Sequence, residues 1–223
     1  MTNPQSNSPT QDHRLNADGM LCAIKERRTV REFDQQKEVS DSDILTILDA
    51  GHWAPSSKNQ RPWHFVVIKD TQLIERIMTA KTPQRPEGES LLKFEDMDAD
   101  KAIPKVMIVV FFEKKKSIMV DPRSFGDVDK SYFSNLGGFA FGDLLSIGCA
   151  VQNMSLAAHS LGLGSCITGD LLEYGINPQI YGWLGMDKEE YRLMCGLRIG
   201  HVHPAARKNM PFRSPLQEHV RWK

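Results

Sequence analysis

Residues 134–161 carry an almost uninterrupted helical pattern of apolar side chains, and this stretch constrains the fold more than any other. It includes Leu136, Leu144, Leu145, Ile147, Val151, Met154, Leu156 and Ala157, and only Asp143 and His159 interrupt it with charge. A helix that is apolar on nearly every side is buried in a core or covered at an interface. A chain of 223 residues makes one domain or two small ones, with room for a sizeable core. Such a domain does not easily bury so long a helix alone, so the pattern predicts a subunit interface.

The remaining segments are shorter. Met20 to Arg28 reads as a first helix with Leu21 and Ile24 inward. Ser40-Asp41-Ser42-Asp43 has the form of a capping box. Ile44, Leu45, Ile47, Leu48 and Trp53 then mark the apolar face of a second helix that Pro55 ends. Trp63 to Ile68, Val106 to Phe112, Ser165 to Thr168 and Tyr191 to Ile199 read as strands, the second buried on both faces. Thr71 to Ala80 reads as a helix. Asn177-Pro178 has the look of an N-cap followed by Pro at the first helical position. Segments 81–100 and 113–133 are polar, contain Pro and Gly, and read as irregular; the second is a candidate cover for a pocket, with Phe125, Tyr132 and Phe133 as candidate stacking rings. Strands and helices do not alternate regularly, which predicts an α+β fold with a mixed central sheet flanked by helices.

Composition excludes some functions. Lys plus Arg number 28 and Asp plus Glu number 28, so no net basic surface for nucleic acid is indicated. No apolar run reaches the ~20 residues of a membrane span. Residues 1–17 lack the apolar core of a signal peptide and read as a disordered tail, leaving 18–223 as one domain. Cys22, Cys149, Cys166 and Cys195 form no CxxC pair and read as free thiols in a reducing cytoplasm. His201 and His203 share a face if extended, but no carboxylate or Cys lies near in sequence, so no metal site is expected. His52 and His64, beside tryptophans, read as packed or hydrogen-bonded residues, and Lys114-Lys115-Lys116 as a solvated turn.

Three segments could carry binding chemistry. Arg27-Arg28-Thr29-Val30-Arg31 supplies guanidinium forks that match phosphate oxygens, although taken alone such a cluster is more often a solvated basic face. Ala54-Pro55-Ser56-Ser57-Lys58-Asn59 offers side chains that can read a heterocycle's edges, and is also ordinary turn composition. Gly162-Leu163-Gly164 through Gly169 is not a dinucleotide fingerprint, because a helix precedes the glycines and a strand follows them. A helix stop explains Gly162 or Gly164, whereas Gly169 is free to let a backbone approach a ligand.

Taken in order, these segments resemble the nitroreductase family over about residues 20–223. Arg27 to Phe33, Pro55-Ser56-Ser57-Lys58-Asn59 with Pro62-Trp63-His64-Phe65, Gln152-Asn153, Leu161 to Gly169 and Arg213-Ser214-Pro215-Leu216 carry the likeness. Arg61 stands where the family often has Gln, and Pro211 where it often has Lys, with Lys208 as a possible substitute.

The resemblance implies an interlocked homodimer with FMN at the subunit interface. It assigns Arg27, Arg28, Thr29 and Arg31 to the FMN phosphate and the pyrimidine edge. It assigns Pro55, Ser56, Ser57 and Asn59 to the flavin of the other subunit, Thr168 and Gly169 to backbone contact with flavin N5, and Arg213 to the phosphate. The implied activity is an FMN-dependent oxidoreductase that takes hydride from NAD(P)H and reduces a small nitroaromatic or quinone-like substrate by a ping-pong mechanism. No side chain is then expected to be catalytic, because the flavin carries the chemistry. Reductive dehalogenation, azoline-type dehydrogenation and flavin fragmentation remain open on the same fold, as does non-catalytic FMN binding.

Overall fold

The computed structural model describes residues 17–79, 102–117, 141–169, 178–206 and 213–223. The expected tail, nearly all of the polar segments, the start of the long helix, Asn177, Lys208 and Pro211 lie outside the described residues.

Ala17–Glu26 forms α1. Its Leu21 and Ile24 are exposed instead of inward, and Met20 joins them. The reason is that α1 rests chiefly on one later helix, and no other described element covers its remaining apolar side. Asp41–His52 forms α2, with Ser40 as its N-cap. The Ser40 hydroxyl accepts the Asp43 amide at 3.0 Å and donates to the Asp43 carboxylate at 2.7 Å, so the N-cap half of the expected capping box forms, and the carboxylate binds the Ser40 hydroxyl where the full box would have it bind the Ser40 amide. Ile44 and Ile47 face inward as expected, but Leu45 is exposed and Trp53 is 78 % exposed. Trp53 is the C-cap of α2, so its ring leaves the helix beyond the last buried turn.

Trp63–Ile68 forms β1, Thr71–Thr79 forms α3, and Val106–Glu113 forms β2, buried along its whole length. Phe141–Ser160 forms α4, the described part of the long apolar pattern. It stops in a Schellman motif. Gly162, at φ +76°, donates to His159 O at 3.0 Å, and Leu163 donates to Ala158 O at 2.9 Å. Gly164–Thr168 forms β3, Gln179–Trp183 forms α5, and Tyr191–Gly200 forms β4. Pro178 occupies the cap position of α5 instead of its first helical turn, so that helix starts one residue later than expected.

The four strands form one sheet in the order β1-β2-β4-β3. Every described strand pair is antiparallel; the parallel element is a single bridge between Thr29 and Ser165. The fold is therefore α+β. Alternation along β2 splits the core between the two faces of the sheet. Val106, Ile108, Val110 and Phe112 pack with Ile47 of α2 and with Val151 and Met154 of α4. Met107, Val109 and Phe111 pack with Ile74 and Ile77 of α3 and Ile180 of α5. Gly51 permits the close approach of α2 to α4, since a Cβ there would lie 2.7 Å from Met154 Cγ. Among the described residues, no helix is long and apolar enough to cross a membrane.

Candidate functional site

The arginine segment leaves α1 and is strapped to the β3 edge of the sheet. Val30 donates its N–H to Ser165 O at 2.9 Å. Gly164 makes this possible: a Cβ there would collide with the Val30 side chain at 2.7 Å. Further on, Asp34 donates to His201 O at 2.8 Å and His203 donates to Glu32 O at 3.1 Å. Between those bonds Phe33 is fully buried and presses on Gly200, where a Cβ would lie 2.9 Å from its ring. The backbone of residues 29–34 is thus fixed at several points, while Arg27, Arg28 and Arg31 are half-buried.

Among the described residues no carboxylate compensates their charges. Arg28 Nη1 donates to the carbonyls of Lys25 and Arg27, and its Nε is buried with no partner. Among the described residues no carboxylate pairs with Arg27, Arg28 or Arg31. Three guanidiniums on a rigid backbone, one with a buried donor unused, are suited to hold an anion with several oxygens. Thr168 and Gly169 end the neighbouring strand. A Cβ at Gly169 would meet nothing within 4 Å, and its φ is not positive.

The Pro-Ser-Ser segment lies elsewhere. Ser56 caps a short 3-10 turn, Ser57–Asn59. The Ser57 amide donates to Ser146 Oγ of α4 at 3.1 Å, and that hydroxyl donates to Gly142 O at 2.6 Å. The Arg61 amide donates to Ser56 Oγ at 2.9 Å. Lys58, Asn59 and Arg61 have φ of 51°, 54° and 46°. Left-handed backbone costs a non-glycine residue about 1–2 kcal/mol, so three such residues in so short a span mark a loop held in a defined shape. Pro55 and Asn59 are exposed.

Glu113 holds the far side of this loop. Its carboxylate pairs with Lys115 Nζ at 2.7 Å and Lys116 Nζ at 2.6 Å, and its amide donates to Pro62 O at 2.8 Å. Burial pushes the Glu113 pKa up, but the two ammonium groups outweigh it and the net position is below the ordinary value. Lys116 also reaches Arg61 O at 3.4 Å. Beside the loop lies an open cleft of about 660 Å³, lined among others by His52, Gln60, Arg61, Trp63, His64 and Lys116. The two histidines are exposed, each with a ring beside it: His52 is edge-on to Trp63, and His64 lies against Tyr191.

The chain straps the arginine segment to the start of β3, the strand that Thr168 ends about 10 Å further along, and places Pro55–Asn59 before β1 at the opposite edge. β1 and β3 are opposite edges of the sheet, about 14 Å apart at three strand spacings. Helix α4 spans the same gap. Its Ser146 binds Ser57, while its Ser155 lies 2.8 Å from Ser165 Oγ; their separation along the helix is about 13 Å. Arg213 is exposed, and no described hydrogen bond or ion pair joins it to Arg27–Arg31. Sequence reasoning missed the two α4 serines and the Glu113 clamp. The signal for the clamp was a carboxylate ending an all-apolar strand immediately before three lysines.

The comparisons fit this geometry. The family model described as the nitroreductase family matches residues 24–201. A protein of Methanothermobacter thermautotrophicus assigned as an NADH dehydrogenase/NAD(P)H nitroreductase is 32% identical over 158 residues, 71% of this chain and 64% of that protein. The match thus spans a little under two thirds of that relative's length. A solved nitroreductase in complex with FMN from Desulfovibrio desulfuricans is 26% identical with a TM-score of 0.63, over 92% of this chain and 96% of its own. A BluB-like flavoprotein from Clostridium difficile is 27% identical with a TM-score of 0.67, over 92% and 98%.

Proposed function

This chain belongs to the nitroreductase family, and from that membership we propose that it is an FMN-dependent oxidoreductase active as a homodimer. The observation that carries the reading is the set of uncompensated guanidiniums of Arg27, Arg28 and Arg31, on a backbone strapped to the strand that ends in Thr168-Gly169. Bound FMN would accept hydride from NAD(P)H and deliver electrons to a nitroaromatic or quinone-like acceptor, one open face serving both substrates in turn, hence ping-pong kinetics. The chain's own residues bind and orient. Arg27, Arg28 and Arg31, with Arg213, would neutralise the phosphate, and the Thr29 hydroxyl would add a donor. The Thr168-Gly169 backbone would hold the ring, with Gly169 adding no side chain to crowd it.

Pro55, Ser56, Ser57 and Asn59 serve the flavin of the other subunit. Their position on the opposite sheet edge supports this, because a separation of about 14 Å keeps them from the same chain's arginines. Exposed Met20, Leu21 and Ile24 of α1, Leu145 of α4 and Trp53 offer apolar surface for such a partner.

The test is direct. Heat-released ligand from the purified protein is identified by mass spectrometry, and NADPH or NADH oxidation is followed with and without a nitroarene. FMN and acceptor-dependent oxidation are expected. FAD, or no flavin after incubation with excess FMN, contradicts the cofactor; FMN without nicotinamide oxidation reduces the protein to a flavin binder.

A further inference from the structure

Arg198 is the bulkiest fully buried side chain described, at 2 % exposure. It stands in β4 directly opposite Cys166 of β3, and Thr168 stands opposite Gly196. Alternation puts Cys166 and Thr168 on one face of β3. Ser165, on the other face, is hydrogen-bonded to Ser155 of α4, so the Arg198 face is the one turned away from α4. Gly196 carries no side chain to cover Thr168. Diagonal neighbours on adjacent strands are within reach of a side chain as long as arginine.

The polar atoms of this corner are poorly satisfied. Arg198 Nη2 donates to Cys166 Sγ at 3.0 Å. Arg198 Nε and Thr168 Oγ1 are both buried with no hydrogen-bond partner, and no carboxylate among the described residues pairs with the guanidinium. A guanidinium keeps its proton and offers five donors, whereas a thiol is a weak acceptor. A cation removed from water needs an opposing charge.

We propose that Arg198, Thr168 and Cys166 frame a buried site for a compact, singly charged anion. Arg198 supplies the charge and the Nε donor, Thr168 supplies a hydroxyl donor, and Cys166 holds the guanidinium plane. The same chemistry suits an inorganic anion, such as a halide or nitrate, and the carboxylate of a small substrate. The site stands independently of the flavin reading; only the second arm of its test rests on that reading.

In the first arm, the holoprotein is titrated with potassium bromide against potassium gluconate at matched ionic strength, gluconate being too bulky for a buried site. Melting temperature is followed, and a bromide-soaked crystal is searched for anomalous scattering. A saturable rise is expected, with a bromide beside Arg198. Arg198→Met should weaken it at least about tenfold, the scale of a lost charge-assisted hydrogen bond. No bromide-specific rise and no bound bromide overturns the proposal, as does a rise that survives Arg198→Met. If that variant does not fold, the wild-type titration and soak decide alone. The second arm compares 4-nitrobenzoate with nitrobenzene as electron acceptors. Competition by bromide against the carboxylate alone assigns the site to substrate; bromide binding without such competition assigns it to an inorganic ion.

Discussion

The backbone N–H of Ser57 donates to the hydroxyl of Ser146 at 3.1 Å, joining positions 89 residues apart in sequence. This bond ties a loop with three left-handed residues to helix α4. Ser146→Ala removes the acceptor and leaves a part-buried amide unpaired. It should cost about 0.5–1.5 kcal/mol by chemical denaturation and weaken FMN less than Arg27→Ala does. An unchanged stability would mean that this bond does not hold the loop.

Phosphate binding should depend on the uncompensated guanidiniums. A hydrogen bond to a charged group contributes roughly 1.5–3 kcal/mol, so Arg27→Ala and Arg28→Ala should each weaken FMN about tenfold to a hundredfold. Titration of the apoprotein with FMN measures this. Unchanged affinity in both would place the phosphate elsewhere.

Several local features are legible in the sequence. The Ser40 cap, the β1 limits and the Gly162 stop each depend on residues within one turn of chain. The inward faces of α1 and α2 are not legible in the same way. Leu21, Ile24, Leu45 and Trp53 have the right spacing for burial, but among the described residues they stay exposed. Strand order is also hidden, because it arises from pairings between distant residues. The sequence therefore points to both candidate segments without showing that they occupy opposite edges. Gly164 and Gly169 look alike in sequence and differ in space: Val30 fills the place of a Cβ at one, and nothing fills it at the other.

That difference separates binding from stability at Gly169. Gly169→Val should leave the melting temperature of the apoprotein nearly unchanged, since no described atom lies within 4 Å of the new Cβ. It should nevertheless slow flavin reduction or expel the flavin. Thr168→Ala should keep most hydride transfer, because the role assigned there belongs to the backbone. Stopped-flow reduction by NADPH reads both variants, and the opposite ranking would contradict the backbone role.

The Glu113 clamp predicts an acid-side dependence. Its folded pKa lies below its unfolded value. Its contribution is thus fully present above the unfolded pKa, about 4.3 for a free glutamate, and is lost as pH falls through the lower folded value. Glu113→Gln should melt earlier than wild type at neutral pH, and the gap should close on acidification through the carboxylate range. A gap that stays constant with pH would mean that Lys115 and Lys116 contribute nothing through their charges.

The central claim is that one site is built from two chains, with arginines and Thr168-Gly169 from one and Pro55–Asn59 from its partner. A heterodimer tests it most directly. Differently tagged chains carrying Arg27→Ala with Arg28→Ala, and Ser57→Ala with Asn59→Ala, are co-expressed and the mixed dimer is isolated. Each parent homodimer should be impaired. In a two-fold dimer with shared sites, the mixed species has one intact site and one doubly damaged site, so its NADPH-dependent nitroarene reduction should return to about half of wild type. If every site were built within one chain, both sites would stay damaged, and a mixed dimer no more active than its parents would contradict the account.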